Sequence, residues 1–194
     1  MTFLRRIIPG SKLAQSLALT EKLVSSQKTT KVVKGGRNFT YSVTVIVGDG
    51  NGRFGFGRGK AKEAVTARKK AFNSAKKRLQ SVSIRDKRTV SHTVFGSCGA
   101  SRVLIRPARP GTGVIAGGAV KQLLEIIGFK DVVCKSFGSS SNKNATVIAT
   151  IDALSQLCSL STLSSLRGKT PAQLLKKPEK AEATEQQTNE ALAQ

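Results

Sequence analysis

The chain has 194 residues, 33 of them Lys or Arg and 11 Asp or Glu, for a formal charge of +22. So basic a surface is useful against a polyanion, which makes nucleic acid the default partner; a membrane surface fits less well, because no basic stretch is backed by a broad apolar face carrying Trp and no run approaches the ~18 apolar residues of a span. Hydrophobic residues at 39% suffice for one packed domain or two small ones, while aromatics at 5%, with no Trp and one Tyr, argue against a broad platform for stacking single-stranded bases.

At the N-terminus, Met1 to Thr20 holds Arg5, Arg6 and Lys12 with no acid before Glu21. That pattern suits either an organellar transit peptide or a basic tail lying on nucleic acid, while Pro9 and Gly10 interrupt the apolar run a secretory signal needs. Leu13, Leu17, Leu19 and Leu23 predict a short helix ending near Ser26, followed by a basic loop from Lys28 to Arg37. Phe39, Tyr41, Val43, Val45 and Val47 alternate with polar residues, the period of a half-buried strand. Gly48 to Gly52 must turn, and Phe54 and Phe56 among Arg53, Arg58 and glycines make the second strand of a hairpin. A helix is predicted from Lys60 to about Leu79, with an apolar stripe of Ala61, Ala64, Val65, Phe72, Ala75 and Leu79 and a cationic wall of Lys62, Lys69, Lys70, Lys76, Lys77 and Arg78.

Residues 81–91 are polar and read as a passage between modules. Strands at Thr93–Phe95, Arg102–Ile105 and Val132–Phe137 and helices at Ala119–Ile127 and Ala145–Leu157 make the second module αβ. Beyond Pro178 the chain carries Lys180 against Glu179, Glu182, Glu185 and Glu190 and is short of branched apolar residues, so an acidic disordered tail is expected.

Catalytic equipment is thin. Gly50-Asn51-Gly52-Arg53-Phe54-Gly55 satisfies a dinucleotide pattern, but a strand follows it where a helix is needed. Gly111-Thr112-Gly113-Val114-Ile115-Ala116 has the better context, between a strand and a helix, with Asp131 near the spacing of a ribose-binding acid. Its glycines could equally face a nucleic-acid phosphate or allow close packing. His92 has no Cys or carboxylate near it in sequence, and the cysteines Cys98, Cys134 and Cys158 are widely spaced in apolar contexts, as inert thiols would be. No triad, paired acids or metal-ligand spacing is present, and no cofactor is expected.

Several long motifs stand in one order: Lys34-Gly35-Gly36-Arg37, Val47 to Arg53, Gly55-Phe56-Gly57 with Gly59-Lys60-Ala61, Gly111-Thr112-Gly113 through Ala116-Gly117-Gly118-Ala119, Lys135 to Ser139, Ala149 to Asp152, and Arg167-Gly168-Lys169. Together they resemble the bacterial-type ribosomal protein S-five (S5) family over about Glu21 to Leu175. The resemblance implies an α+β fold of two domains. A double-stranded-RNA-binding-like domain would span 21–86 and a βαβ domain of the superfold shared with some small-molecule kinases 87–175, with a basic extension at 1–20 and a tail at 176–194.

It further implies a non-enzymatic constituent of the small ribosomal subunit that binds rRNA. Family resemblance puts Lys28, Lys31, Lys34, Gly35, Gly36 and Arg37 on a loop reaching rRNA; the hairpin adds Arg53, Phe54, Phe56 and Arg58, and the Lys face of the following helix adds Lys60, Lys62 and Lys69. Residues 30–35 would border the spectinomycin site, with Val32 where the family often has Thr. Gly113 and Lys121 fall at positions facing ribosomal protein S-four and tied to translational accuracy; S-eight is the other implied neighbour. Localisation follows as ribosomal, in a bacterial cytoplasm or an organelle. The rival readings are a phosphate-transferring enzyme of the same superfold and a free double-stranded-RNA-binding regulator.

Overall fold

The structure, a computed structural model, describes residues 19–138 and 141–175. The predicted helical residues Leu13 and Leu17 and the acidic tail lie outside them. Strands β1 (Thr20–Val33), β2 (Gly36–Gly48), β3 (Arg53–Ala61) and β4 (Leu79–Ser81) form an antiparallel sheet in chain order. Helix α1 (Ala64–Lys76) covers one face.

Two expectations are corrected here. Residues 20–26 are strand, not helix: Leu19 and Leu23 have helical spacing, but Thr20, Val24 and the later Thr29, Thr30, Val32 and Val33 suit a pleated strand, and β2 supplies the partner ladder. The segment from Lys28 to Arg37 is not a loop either. Pairing runs from Lys28↔Tyr41 to Val33↔Gly36, leaving Lys34-Gly35 as the turn.

The helix is also shorter than its composition suggests, because Lys60 and Ala61 remain in β3, paired with Ser42 and Tyr41. Its buried stripe is Ala67, Ala71 and Ala75, while Val65 lies 65% exposed. Those alanines meet Gly55, Gly57 and Gly59 across the interface. A Cβ on Gly57 would stand 2.1 Å from the Ala71 carbonyl oxygen and one on Gly59 2.2 Å from that of Ala67, so only glycine lets the helix backbone lie directly on β3.

The second sheet has the order β5-β6-β8-β7, from β5 (Val94–Cys98), β6 (Ser101–Pro107), β7 (Val114–Ile115) and β8 (Val132–Gly138). β7 and β8 are parallel and joined through α2 (Gly118–Ile127), which is the βαβ unit. The two-residue β7 carries too short a pattern to read from sequence. Helix α3 (Lys143–Ser155) starts at Asn142, whose side chain accepts from the Ala145 amide at 3.3 Å, and lies on β5 where Gly96 leaves room.

One core joins the two sheets: Val24, Ile46 and Phe54 pack with Val103, Leu123, Leu124, Ile127 and Val147. Strand β2 is therefore buried on both faces from Ser42 to Gly48, not half-buried, since α1 covers one side and the second module's helices the other. The Gly48–Gly52 turn is pinned to the end of α2 by Gly50 N–H to Ile126 carbonyl (3.1 Å) and Gly52 N–H to Ile127 carbonyl (2.8 Å). The passage at 81–91, polar by composition, contributes a fully buried Val90.

Among the described residues, 158–175 belong to a separate small unit with two helices, α4 (Leu160–Arg167) and α5 (Pro171–Leu175). Ser159 caps α4, accepting from the Thr162 amide at 3.1 Å, and Gly168 ends it in a left-handed conformation with φ +61°. Among the described residues no single helix is long and apolar enough to cross a membrane.

Candidate nucleic-acid interface

Strand β3 begins to pair with β2 only at Tyr41, so residues 28–40 form a two-stranded ribbon running about 20 Å beyond the three-stranded part of the sheet. Lys28, Lys31, Lys34, Gly35, Gly36 and Arg37 are all exposed on it. No carboxylate occurs between Glu21 and Asp49, so the ribbon's charge is of one sign. Directly paired residues share a face, which puts Lys28, Arg37, Phe39 and Tyr41 on one side and Lys31 on the other. The Lys28 ammonium stands 4.1 Å above the Phe39 ring and 5.9 Å from that of Tyr41. Phe39 is thus the end of the apolar alternation carried out of the core, and a lysine stem covers it instead of a helix.

A second group of cations gathers at the C-terminal end of β3, beside the base of the ribbon. Lys60, Lys62 and Lys70, with Thr40 and Thr66, line an open hollow of about 500 Å³. Its one carboxylate, Glu63, is engaged by the Thr66 hydroxyl at 3.0 Å. The sequence pattern places Lys70 only on the cationic wall of the helix, because helical periodicity alone does not say which lysine turns toward the end of β3. Lys69 stands about 200° around the helix from Ala67 and faces away from the sheet, separate from the hollow.

The other sequence-derived residues are distributed differently. Arg58 is exposed and donates through Nε to Ser42 Oγ at 3.0 Å, between the ribbon and the core. Arg53 is exposed but opens β3 at the end away from the hollow, about 27 Å from Ala61 along the strand. Phe54 is corrected outright. It is 1% exposed in the shared core, because its face of β3 lies against α2, and its ring has no access to RNA. Phe56 is half-buried against the same cluster.

In the second module, Gly113 precedes the edge strand β7 with φ +74°, and Lys121 is exposed on the first turns of α2. Asp131, spaced like a ribose-binding acid, is buried and already committed: Oδ1 accepts from the Gly113 amide at 2.9 Å and Oδ2 from Arg88 Nη1 at 3.1 Å. The Gly113 hydrogen bond holds its carboxyl below the ordinary value of 3.8 against the opposing effect of burial, with Arg88 adding in the same direction. The acid that made the loop look like a nucleotide site serves to fix the loop itself. Burial pushes the Cys134 thiol up to about 12, so it has no thiolate to offer at neutral pH. His92 is exposed.

Residues 19–83 match the family profile described as ribosomal protein S5, N-terminal domain, and residues 96–167 that of ribosomal protein S5, C-terminal domain. The chain belongs to the uS5 family. It is 49% identical over 152 residues to the small ribosomal subunit protein uS5 of Rickettsia typhi, covering 78% of this chain and 86% of that protein. The proteins of the same name from Rickettsia prowazekii and Rickettsia bellii are 48% and 47% identical over 152 residues, with the same coverage. As a uS5 protein it is a structural constituent of the small ribosomal subunit and not an enzyme, and its partners are small-subunit rRNA and other ribosomal proteins.

Proposed function

We propose that the two modules divide the work of a uS5 protein, residues 21–86 holding rRNA and 87–175 docking on ribosomal proteins S-four and S-eight. The observation that carries the RNA reading is the acid-free ribbon. Four cations, Lys28, Lys31, Lys34 and Arg37, stand clear of both cores on a backbone whose glycine turn permits close approach to phosphates. An isolated two-stranded ribbon is marginal in water, so a partner along its length suits it. The hollow of Lys60, Lys62 and Lys70 supplies a second phosphate contact on the same module.

The docking reading rests on the β7 edge. This strand is two residues long, Ile115 on it is 54% exposed, and Gly113 and Lys121 flank it in sequence. Contact with S-four there tunes translational accuracy as the subunit closes. Residues 30–35 influence spectinomycin response, with Val32, 72% exposed near the ribbon's turn, as the residue that sets its degree.

Reconstituted small subunits carrying either this protein or its K28Q/K31Q/K34Q/R37Q variant test the RNA reading by chemical probing of the rRNA. The expected result is a local set of protections that the variant loses. Identical protections in both would remove the ribbon from the interface.

A further inference from the structure

The loop from Ala108 to Gly113 contains few apolar anchors, yet it is held at both ends by one pair of side chains. Arg88 Nη1 donates to the Ala108 carbonyl at 3.1 Å and to Asp131 Oδ2 at 3.1 Å, while Asp131 Oδ1 takes the Gly113 amide at 2.9 Å. Backbone bonds lock the pair in place. The Arg88 carbonyl accepts from the Lys130 and Asp131 amides at 2.8 and 3.2 Å, and the Gly113 carbonyl accepts from the Val132 amide at 3.1 Å.

Arg88 is delivered from the inter-module segment by an unusual turn. Asp86 and Lys87, with φ of 54° and 50°, are the only non-glycine residues among those described with positive φ. A left-handed backbone is disfavoured for residues with a Cβ, so the surrounding bonds must offset its cost. The Arg85–Thr89 bridge closes this turn, with Arg85 N–H to Thr89 carbonyl at 2.8 Å, and Thr89 Oγ1 accepts from the Ala108 amide at 3.4 Å.

We propose that Arg88 and Asp131 are positioning residues for translational accuracy, acting as a latch that sets the Gly113 loop at the docking edge. The inference rests on the reading that this edge tunes accuracy. Neither residue needs to touch a neighbouring protein. Arg88 is 27% exposed and Asp131 7% by side chain, so their effect passes through the Gly113 amide and the Ala108 carbonyl. A charge-assisted bond removed from a buried acceptor leaves that group unsatisfied, which loosens the segment it held.

The test uses the full chain with Arg88→Ala, Arg88→Lys, Asp131→Asn and, as a control for the edge itself, Gly113→Asp. Amide hydrogen exchange of the purified proteins reads the latch, with Gly128 at the end of α2 as an internal reference. Arg88→Ala and Asp131→Asn should speed exchange at Gly113 about tenfold while leaving Gly128 unchanged, and Arg88→Lys should restore most of the protection. In cells whose ribosomes depend on this chain, a stop-codon readthrough reporter should then shift at least about twofold for both variants, with Arg88→Lys near wild type.

Unchanged exchange at Gly113, or exchange that rises equally at Gly128, overturns the latch. Faster Gly113 exchange with unaltered readthrough, where Gly113→Asp does change it, overturns the accuracy role alone. If Gly113→Asp also leaves readthrough unaltered, the edge does not tune accuracy, and the reading and the inference fall together. Should Arg88→Ala fail to fold, Asp131→Asn gives the same decision, since it keeps a polar group in place, with Arg88→Lys still the near-wild-type control.

Discussion

Replacing Lys28, Lys31, Lys34 and Arg37 together by Gln removes four charges from a ribbon that has no carboxylate between Glu21 and Asp49. Each neutralised duplex phosphate contributes about 0.9 to the slope of log K against log salt, so four contacts amount to a slope difference of about 3.6. Across a fourfold rise in salt that difference changes the ratio of wild-type to variant affinity by about 150-fold. The four are not equivalent, because the Lys28 ammonium lies 4.1 Å over Phe39 while nothing comparable holds Lys31. Lys31→Gln should lower the slope by about 0.9 and Lys28→Gln by less. The fold should survive, as the ribbon lies outside both cores and the Lys28–Phe39 contact is worth about 0.5–1 kcal/mol. Fluorescence anisotropy with small-subunit rRNA at several salt concentrations, beside thermal melts, measures both. A folded quadruple variant with the wild-type salt slope would refute the assignment of the ribbon to phosphate.

Phe54→Ala should cost about 3–5 kcal/mol in urea denaturation, with loss of both modules in one transition, because the ring sits in the core that joins them; a variant that stays stable but binds RNA weakly would return Phe54 to the surface. Gly57→Ala should destabilise by about 2–3 kcal/mol, since its Cβ would meet the Ala71 carbonyl at 2.1 Å; a neutral result would mean α1 can move off β3 freely. The Asp131 carboxyl is held below 3.8, so its bonds stabilise the fold fully above about pH 4 and are lost as pH falls below that. The stability gap between wild type and Asp131→Asn should accordingly shrink in urea melts as pH falls below about 4, and a gap that widens there would reverse the sign. Lys121→Glu places a negative charge beside the docking edge and should alter misreading in a dual reporter; unaltered misreading would count against that edge.

Sequence patterning determined the parts whose physics is local. Alternation from Phe39 to Val47 specified β2, the glycines from Gly48 to Gly52 specified its turn, and net charge specified a polyanionic partner, because each depends on residue type and period alone. Wherever a segment's state depended on a distant neighbour, periodicity misled. Residues 20–26 are strand because β2 offers a ladder, Lys28 to Arg37 is ribbon for the same reason, and the α1 stripe is fixed by glycines on β3. The same holds for the site. Phe54 has the composition of an RNA-contacting aromatic and lies in the core because α2 packs over it, whereas Asp131 has the spacing of a ribose-binding acid and is consumed by Gly113 and Arg88. A sequence fixes which groups a chain carries; which of them remain free to meet a partner is decided by what packs and bonds to them in three dimensions.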